Sequence, residues 1–178
     1  MRIDPEVAHG SYATGCVVIH TRDEFLLDFI AAVPPPARIV TRVVLTPAHL
    51  KRALSAFLDN FRQYEKRYRA IDLPPENSRA NAGQVKDLYS KLEVKDQFLG
   101  GTFSNSMSIM HTSEEFVLDF LTNFPPAPKV NARVIVSPTH ARRIISILGD
   151  NIAQYEDRFG KIDDGLPPPE PRAAFNLN

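Results

Sequence analysis

A chain of 178 residues holds one domain or two small ones, and 43% hydrophobic content with 11 Phe and 5 Tyr supplies a core. Lys plus Arg and Asp plus Glu balance at 21 each, so the total charge does not favour a nucleic-acid or anionic-membrane partner. The single cysteine, Cys16, rules out a disulfide framework within the chain. No apolar run approaches the ~20 residues of a membrane-spanning helix. Residues 1–10 carry no apolar stretch of the signal-peptide kind, and the expectation is a cytoplasmic protein.

Residues 1–9 read as a short flexible lead-in. From Gly10 to Asp72 the chain then aligns, without a gap, with Gly101 to Asp163. The offset is a constant 91, and 24 of the 63 pairs are identical, so the chain is a duplicated unit. The division is a first repeat over 10–75, a linker over 76–100, a second repeat over 101–166 and a Pro-rich extended tail over 167–178.

Each repeat opens with a strand, over 12–20 and 103–111. Tyr12, Cys16, Val18 and His20 share one face with the copies Phe103, Met107, Ile109 and His111, and that face is assigned to the core. The second strand, 24–31, alternates: Phe25, Leu27 and Phe29 recur as Phe116, Leu118 and Phe120, again facing the core. Leu26, Asp28 and Ile30 take the other face. Pro34, Pro35 and Pro36 end this strand, because proline has no N–H for the ladder. In the third strand, 39–45 and 130–136, Ile39, Thr41, Val43 and Leu45 share one face, with Val40, Arg42 and Val44 opposite. Asp28 and Arg42 therefore lie on one face, as do Asp119 and Arg133. The spacing predicts structural ion pairs worth roughly 0.2–1 kcal/mol if exposed.

Thr46-Pro47 and Ser137-Pro138 match an N-cap hydroxyl followed by an N1 proline. The helices they start carry apolar residues at three- and four-residue intervals, from Leu50 to Tyr68 and from Ala141 to Phe159, and Gly160 marks the second stop. A helix from Pro47 to Arg69 is roughly 35 Å long at 1.5 Å per residue, longer than a strand of roughly 17–20 Å. Its far end must rest on the sister repeat or on another subunit. A shorter amphipathic helix is expected in the linker over 84–99, using Val85, Leu88, Leu92 and Phe98.

The fold class that follows is α+β: two tandem β-β-β-α repeats forming a joined antiparallel sheet, with both long helices on one face. Two three-stranded copies pairing edge to edge make six strands, which protects one edge of each. The other face carries Val17, Ile19, Leu26, Ile30, Val40 and Val44, and in the second copy Met110, Val117, Leu121 and Ile135. A sheet face this apolar calls for a cover: a second chain, the other repeat or a partner. All of these but Val40 are the interface candidates, and a homo-oligomer is expected.

The pattern His-Thr-x-x-Glu-Phe-x-Leu-Asp-Phe, then Arg-Val, then Ser/Thr-Pro-x-His, then Tyr-Glu resembles an uncharacterised prokaryotic family, domain of unknown function 3467. The second copy carries it most fully: His111 to Phe120, Arg133-Val134, Ser137-Pro138-Thr139-His140 and Tyr155-Glu156 to Gly160. The first copy departs at Arg69, where the second has Gly160. The resemblance spans about three quarters of the chain and implies no activity. At the level of topology, strands followed by one long helix also resemble the SecB type of export chaperone and the PUR and Whirly single-strand-binding folds, and fold alone does not imply function.

His20, His49, His111 and His140 recur in register, but without the close spacing of metal ligands. Cys16 is replaced by Met107 in the copy, which suits a core filler better than a nucleophile. There is no Gly-rich phosphate loop and no clustered acid–base pair. No catalytic residue, metal or other cofactor is expected. The expectation is a non-enzymatic protein-interaction module, an adaptor or a SecB-like chaperone, using the semi-apolar sheet face. The alternative is single-stranded nucleic-acid binding, which needs exposed aromatics with basic neighbours. Lys51, Arg52, Arg62, Lys66, Arg67 and Arg69 make only the first helix locally basic.

Overall fold

The computed structural model describes residues 1–73 and 82–165. The chain runs β1 (Arg2–Ile3), α1 (Pro5–Ala8), β2 (Ser11–Tyr12), β3 (Gly15–His20), β4 (Phe25–Ala31), β5 (Arg38–Leu45), α2 (Pro47–Arg67), α3 (Ala82–Ser90), β6 (Thr102–Phe103), β7 (Ser106–His111), β8 (Phe116–Thr122), β9 (Lys129–Val136) and α4 (Pro138–Phe159). A single 3-10 turn, Asp96–Phe98, precedes β6. The α+β class and the tandem β-β-β-α arrangement are as the sequence predicts. In each repeat the three main strands form an antiparallel meander.

The join between the repeats differs from direct edge-to-edge pairing. Hydrogen bonding divides the strands into two sheets, one ordered β3-β4-β5-β6, the other β1-β9-β8-β7 with β2 also on β9. The segment before each repeat crosses to the other repeat's sheet and pairs parallel there: β2 with β9, β6 with β5. The exchange reaches further upstream than the expected repeat boundary. Residues 1–9, expected as a flexible lead-in, form β1 and α1, and β1 pairs with Lys129 and Val130. Glu93 makes the matching bridge to Arg38 in the first sheet, at the same offset of 91. Residues 2–12 and 93–103 are thus equivalent arms.

The helices are exchanged too. Thr46 and Ser137 cap them, each hydroxyl accepting the N–H three residues on, from His49 at 3.4 Å and His140 at 3.3 Å. Helix α2 packs on β7 of the second repeat, α4 on β3 of the first, and the two helices touch each other. This is where the surplus helix length rests. Phe116 stacks on Phe61 with ring centroids 5.5 Å apart and also meets Phe57 and Tyr64, all from the other repeat. Phe25 meets Tyr155 in the reciprocal contact. One continuous core results, containing Phe25, Leu27 and Phe29 together with Phe116, Leu118 and Phe120. Gly160, at φ +93°, closes α4.

Two face assignments change. A register shift lies between Phe29 and Ile30, where Phe29 pairs with Thr41 but Ile30 pairs with Ile39. Val40 is the extra residue of this bulge. It packs against the main core, and Ile39 turns to the outer face. A bulge at Asn131 repeats this in β9. Tyr12 and Phe103, expected in the core, are exposed, because β2 and β6 belong to the arms. Among its described residues the linker forms an α-helix over α3 alone, and residues 74–81 lie outside the described residues, as does the tail from 166.

Because each core is completed by the other repeat's helix, a chain cut between Leu73 and Ala82 is expected to remain one particle. The two pieces should co-elute in native size-exclusion chromatography and melt in one transition. Separation without denaturant would contradict the exchanged packing.

Candidate functional site

The outer faces of the two sheets, away from α2 and α4, carry the interface candidates, and the structure sorts them into three groups. Val17 and Ile30 lie beneath the linker, in a separate apolar cluster with Ile39, Tyr89, Leu92 and Phe98. Val44 and Ile135 lie beneath the arms: a Cβ on Gly101 would come within 2.9 Å of Val44, and one on Gly10 within 3.1 Å of Ile135. Leu121 is buried. What remains open is a small aliphatic patch on each sheet. Ile19 stands opposite Leu26 on the first, and Met110 opposite Val117 on the second. Ile19 is 36% exposed and Met110 49%, while Leu26 and Val117 are half-buried. The two patches are related by the internal repeat.

Inward of each patch sits an Asp–Arg pair. Asp28 stands opposite Arg42 in the ladder, and Asp119 opposite Arg133. Both contacts are two-pronged: Arg42 Nε and Nη2 donate to Asp28 at 2.6 and 2.8 Å, and Arg133 does so to Asp119 at 2.7 and 2.8 Å. Both carboxylates are fully buried, so an estimate for an exposed pair does not apply. Each guanidinium also donates, through Nη1, to the carbonyl of the arm lying over it, Leu99 for Arg42 and Ala8 for Arg133. Gly10 and Gly101, at φ +69° and +68°, let the arms pass this close, since a Cβ on either would meet the arginine stem within 3.0 Å. The arms and arginines also line a cleft of about 260 Å³ between the repeats, with Glu6 and Gln97 at equivalent positions in its wall.

The histidines fall into two kinds. His49 and His140 belong to the helix caps, their Nδ1 atoms 2.8 and 2.9 Å from the Thr46 and Ser137 hydroxyls. His20 and His111 end strands inside aromatic clusters, His20 against Phe25, Tyr155 and Phe159, His111 against Phe116, Tyr64 and Tyr68. Burial lowers the pKa of all four, and a neighbouring arginine lowers each further: Arg158, Arg52, Arg67 and Arg143 for His20, His49, His111 and His140. Among the described residues no three His, Cys, Asp or Glu side chains gather closely enough to hold a metal ion.

Lys51 and Glu65 do structural work. Lys51 donates to Glu156 at 2.8 Å across the helix pair. Glu65 and Glu156 each accept the N–H of the isoleucine six residues on, Ile71 and Ile162. Lys51 and then Lys161 hold the Glu156 carboxyl down at about 2.

The sequence reading missed Tyr89, whose hydroxyl donates to Asp28 Oδ2. It has no partner in the repeat pattern, so no signal marked it. It also missed the arms, although Met1, Ile3 and Val7 match Leu92, Val94 and Phe98 in apolar character at the same offset.

The family comparison finds the same duplication. The model described as "Protein of unknown function (DUF3467)" matches residues 1–73 and again 75–164. The chain belongs to this family, in two tandem copies. Each DUF3467 match takes in the arm that precedes its strands, in line with the exchanged segments. No curated protein and no solved structure matches the chain. Among the described residues no helix is long and apolar enough to cross a membrane.

Removing one partner of a buried ion pair leaves an uncompensated charge. Arg42→Met is therefore expected to cost about 3–5 kcal/mol in urea unfolding, and Asp28→Leu with Arg42→Met to recover much of it. The pH response has two limbs. The four histidines hold pKa values below their ordinary 6.5, so the unfolded chain takes up protons that the folded chain refuses. Their contribution is complete above 6.5 and falls as the pH drops through it. Glu156 contributes above 4.5 and loses that contribution as the pH falls through about 2. The melting temperature is expected to decline between about pH 7 and about pH 5, less steeply in a His20→Gln, His111→Gln chain.

Proposed function

We propose that this DUF3467 chain is a non-enzymatic, cytoplasmic protein-interaction module, an adaptor or a chaperone of the SecB kind, that engages partner segments on its outer sheet faces. The observation that carries the reading is the pair of aliphatic patches, Ile19 with Leu26 and Met110 with Val117, left open while the other interface candidates lie beneath the linker or the arms or are buried. Two equivalent patches on one chain suit a partner with several apolar segments, since linked contacts add through effective concentration. Both patches border a strand that has a single ladder partner among the described residues, β3 or β7, and strand addition with apolar side-chain contact is the mode this favours. Self-association through the same strands is part of the proposal.

Burial pushes the Cys16 thiol pKa up, which disfavours the nucleophilic thiolate. The strand aromatics Phe25, Phe29, Phe116 and Phe120 are buried in the core and out of reach of stacking bases, which weighs against the nucleic-acid alternative.

A permanently unfolded test protein, reduced and carboxymethylated, should bind the native chain. Ile19→Lys with Met110→Lys should weaken that binding at least ~10-fold without lowering the melting temperature, because both side chains are exposed. Equal binding by the variant would remove the patches from the interaction. Tight, salt-sensitive oligonucleotide binding would replace this reading with the alternative.

A further inference from the structure

The outer faces of the two sheets are not covered alike. On the first, α3 lies over the sheet and sends Tyr89 to the Asp28–Arg42 pair. The second sheet has the same pair, Asp119 with Arg133, but among the described residues no helix supplies a phenol to it. The consequence shows in exposure: the Arg42 side chain is 12% exposed and Arg133 22%. The second sheet also buries Leu121, the counterpart of Ile30.

Much of helix α3 faces solvent. Gly83, Gln84, Lys86, Asp87, Leu88 and Ser90 are exposed, and Tyr89 is its half-buried anchor. Leu92, just beyond the helix, sits at the start of the arm and is tied down by the neighbouring Glu93 N–H to Ala37 O bond. The apolar cluster beneath is separate from the main core and small, with Ile30, Ile39 and Leu92 as its buried members. A cluster separate from the main core is the kind of unit that opens without global unfolding.

We infer that the groove over Val17, Asp28, Ile30 and Ile39 is a docking site for a tyrosine-bearing helical segment of a partner protein, and that α3 is its displaceable in-chain occupant. The chemistry of the guest is set by what sits there now. A phenol donates to a buried carboxylate already held by arginine, beside aliphatic walls. Burial and the Asp28 charge push the Tyr89 phenol pKa up, keeping its proton available for donation. A phenylalanine in its place leaves the carboxylate without this donor and is discriminated against. The inference deepens the interaction reading proposed above by naming one partner class and the device that regulates access. It concerns a different surface from Ile19 and Met110.

The test uses the full chain carrying Tyr89→Ala, which empties the anchor position, and a labelled peptide of sequence 82–94. Saturable binding to the variant is expected, at least ~10-fold weaker for the same peptide with phenylalanine at the tyrosine position, and weaker again to the native chain, where the tethered α3 competes. No binding to the variant at millimolar peptide, or equal binding of both peptides, would overturn the inference. Hydrogen exchange on the native chain gives a second readout. The α3 amides should exchange through an opening that leaves β4 and β5 protected. Exchange of α3 only together with those strands would show that it is not displaceable. Both readouts are independent of unfolded-protein binding at the aliphatic patches, so failure of one reading leaves the other standing.

Discussion

Phe116 sits against Phe57, Phe61 and Tyr64, and Phe25 against Tyr155, so the central aromatic contacts run between repeats rather than within them. The constraint behind this is geometric. A helix of 21 or 22 residues is longer than the six-residue strand it packs on, and a three-stranded sheet alone does not shield its apolar stripe. Crossing the helices to the opposite sheets solves the problem for both halves at once. The arms follow the same logic at the strand edges. Unpaired backbone on β5 and β9 meets β6 and β2, which cross in opposite directions. The tyrosine hydroxyls complete the exchange, Tyr64 donating to the Ser113 carbonyl and Tyr155 to that of Arg22.

The polar groups on the outer face are organised by this crossing. Arg42 and Arg133 each join a buried aspartate of their own sheet to a carbonyl of the arm arriving from elsewhere in the chain. The ion pair and the arm depend on each other. The aspartate is tolerable in the interior because the guanidinium neutralises it, and the arm's glycine gives the guanidinium stem room. Identical Asp, Arg and Gly at both sites are one structural device used twice.

Much of this was legible from residues alone. Strict alternation placed Phe25, Leu27 and Phe29 on the core face, and the Thr-Pro and Ser-Pro pairs located both helix starts. Three things were not legible, each for a physical reason. Alternation carries no information about a bulge, so Ile39 and Val40 were assigned to each other's faces. The arms pair through backbone hydrogen bonds, which place few demands on side chains, and between residues 1–9 and 92–100 only apolar character is shared. Tyr89 acts in one half only, and a method that finds signal in repetition passes over it. The aliphatic patch was visible as a composition of the outer face, whereas its division into covered and open parts depended on α3 and the arms.

Covalent fusion of the two halves has a further consequence. A dimer of two identical chains must display every surface twice, so any change that suits one face is imposed on the other. Here a single chain holds both halves, and each has drifted separately. Val17 stands where its sister has Ser108, Ile19 where it has Met110, and a helix overlies one sheet without a described counterpart on the other. The shared interior keeps the halves bound to a common geometry, while their outward surfaces are released to specialise for different tasks.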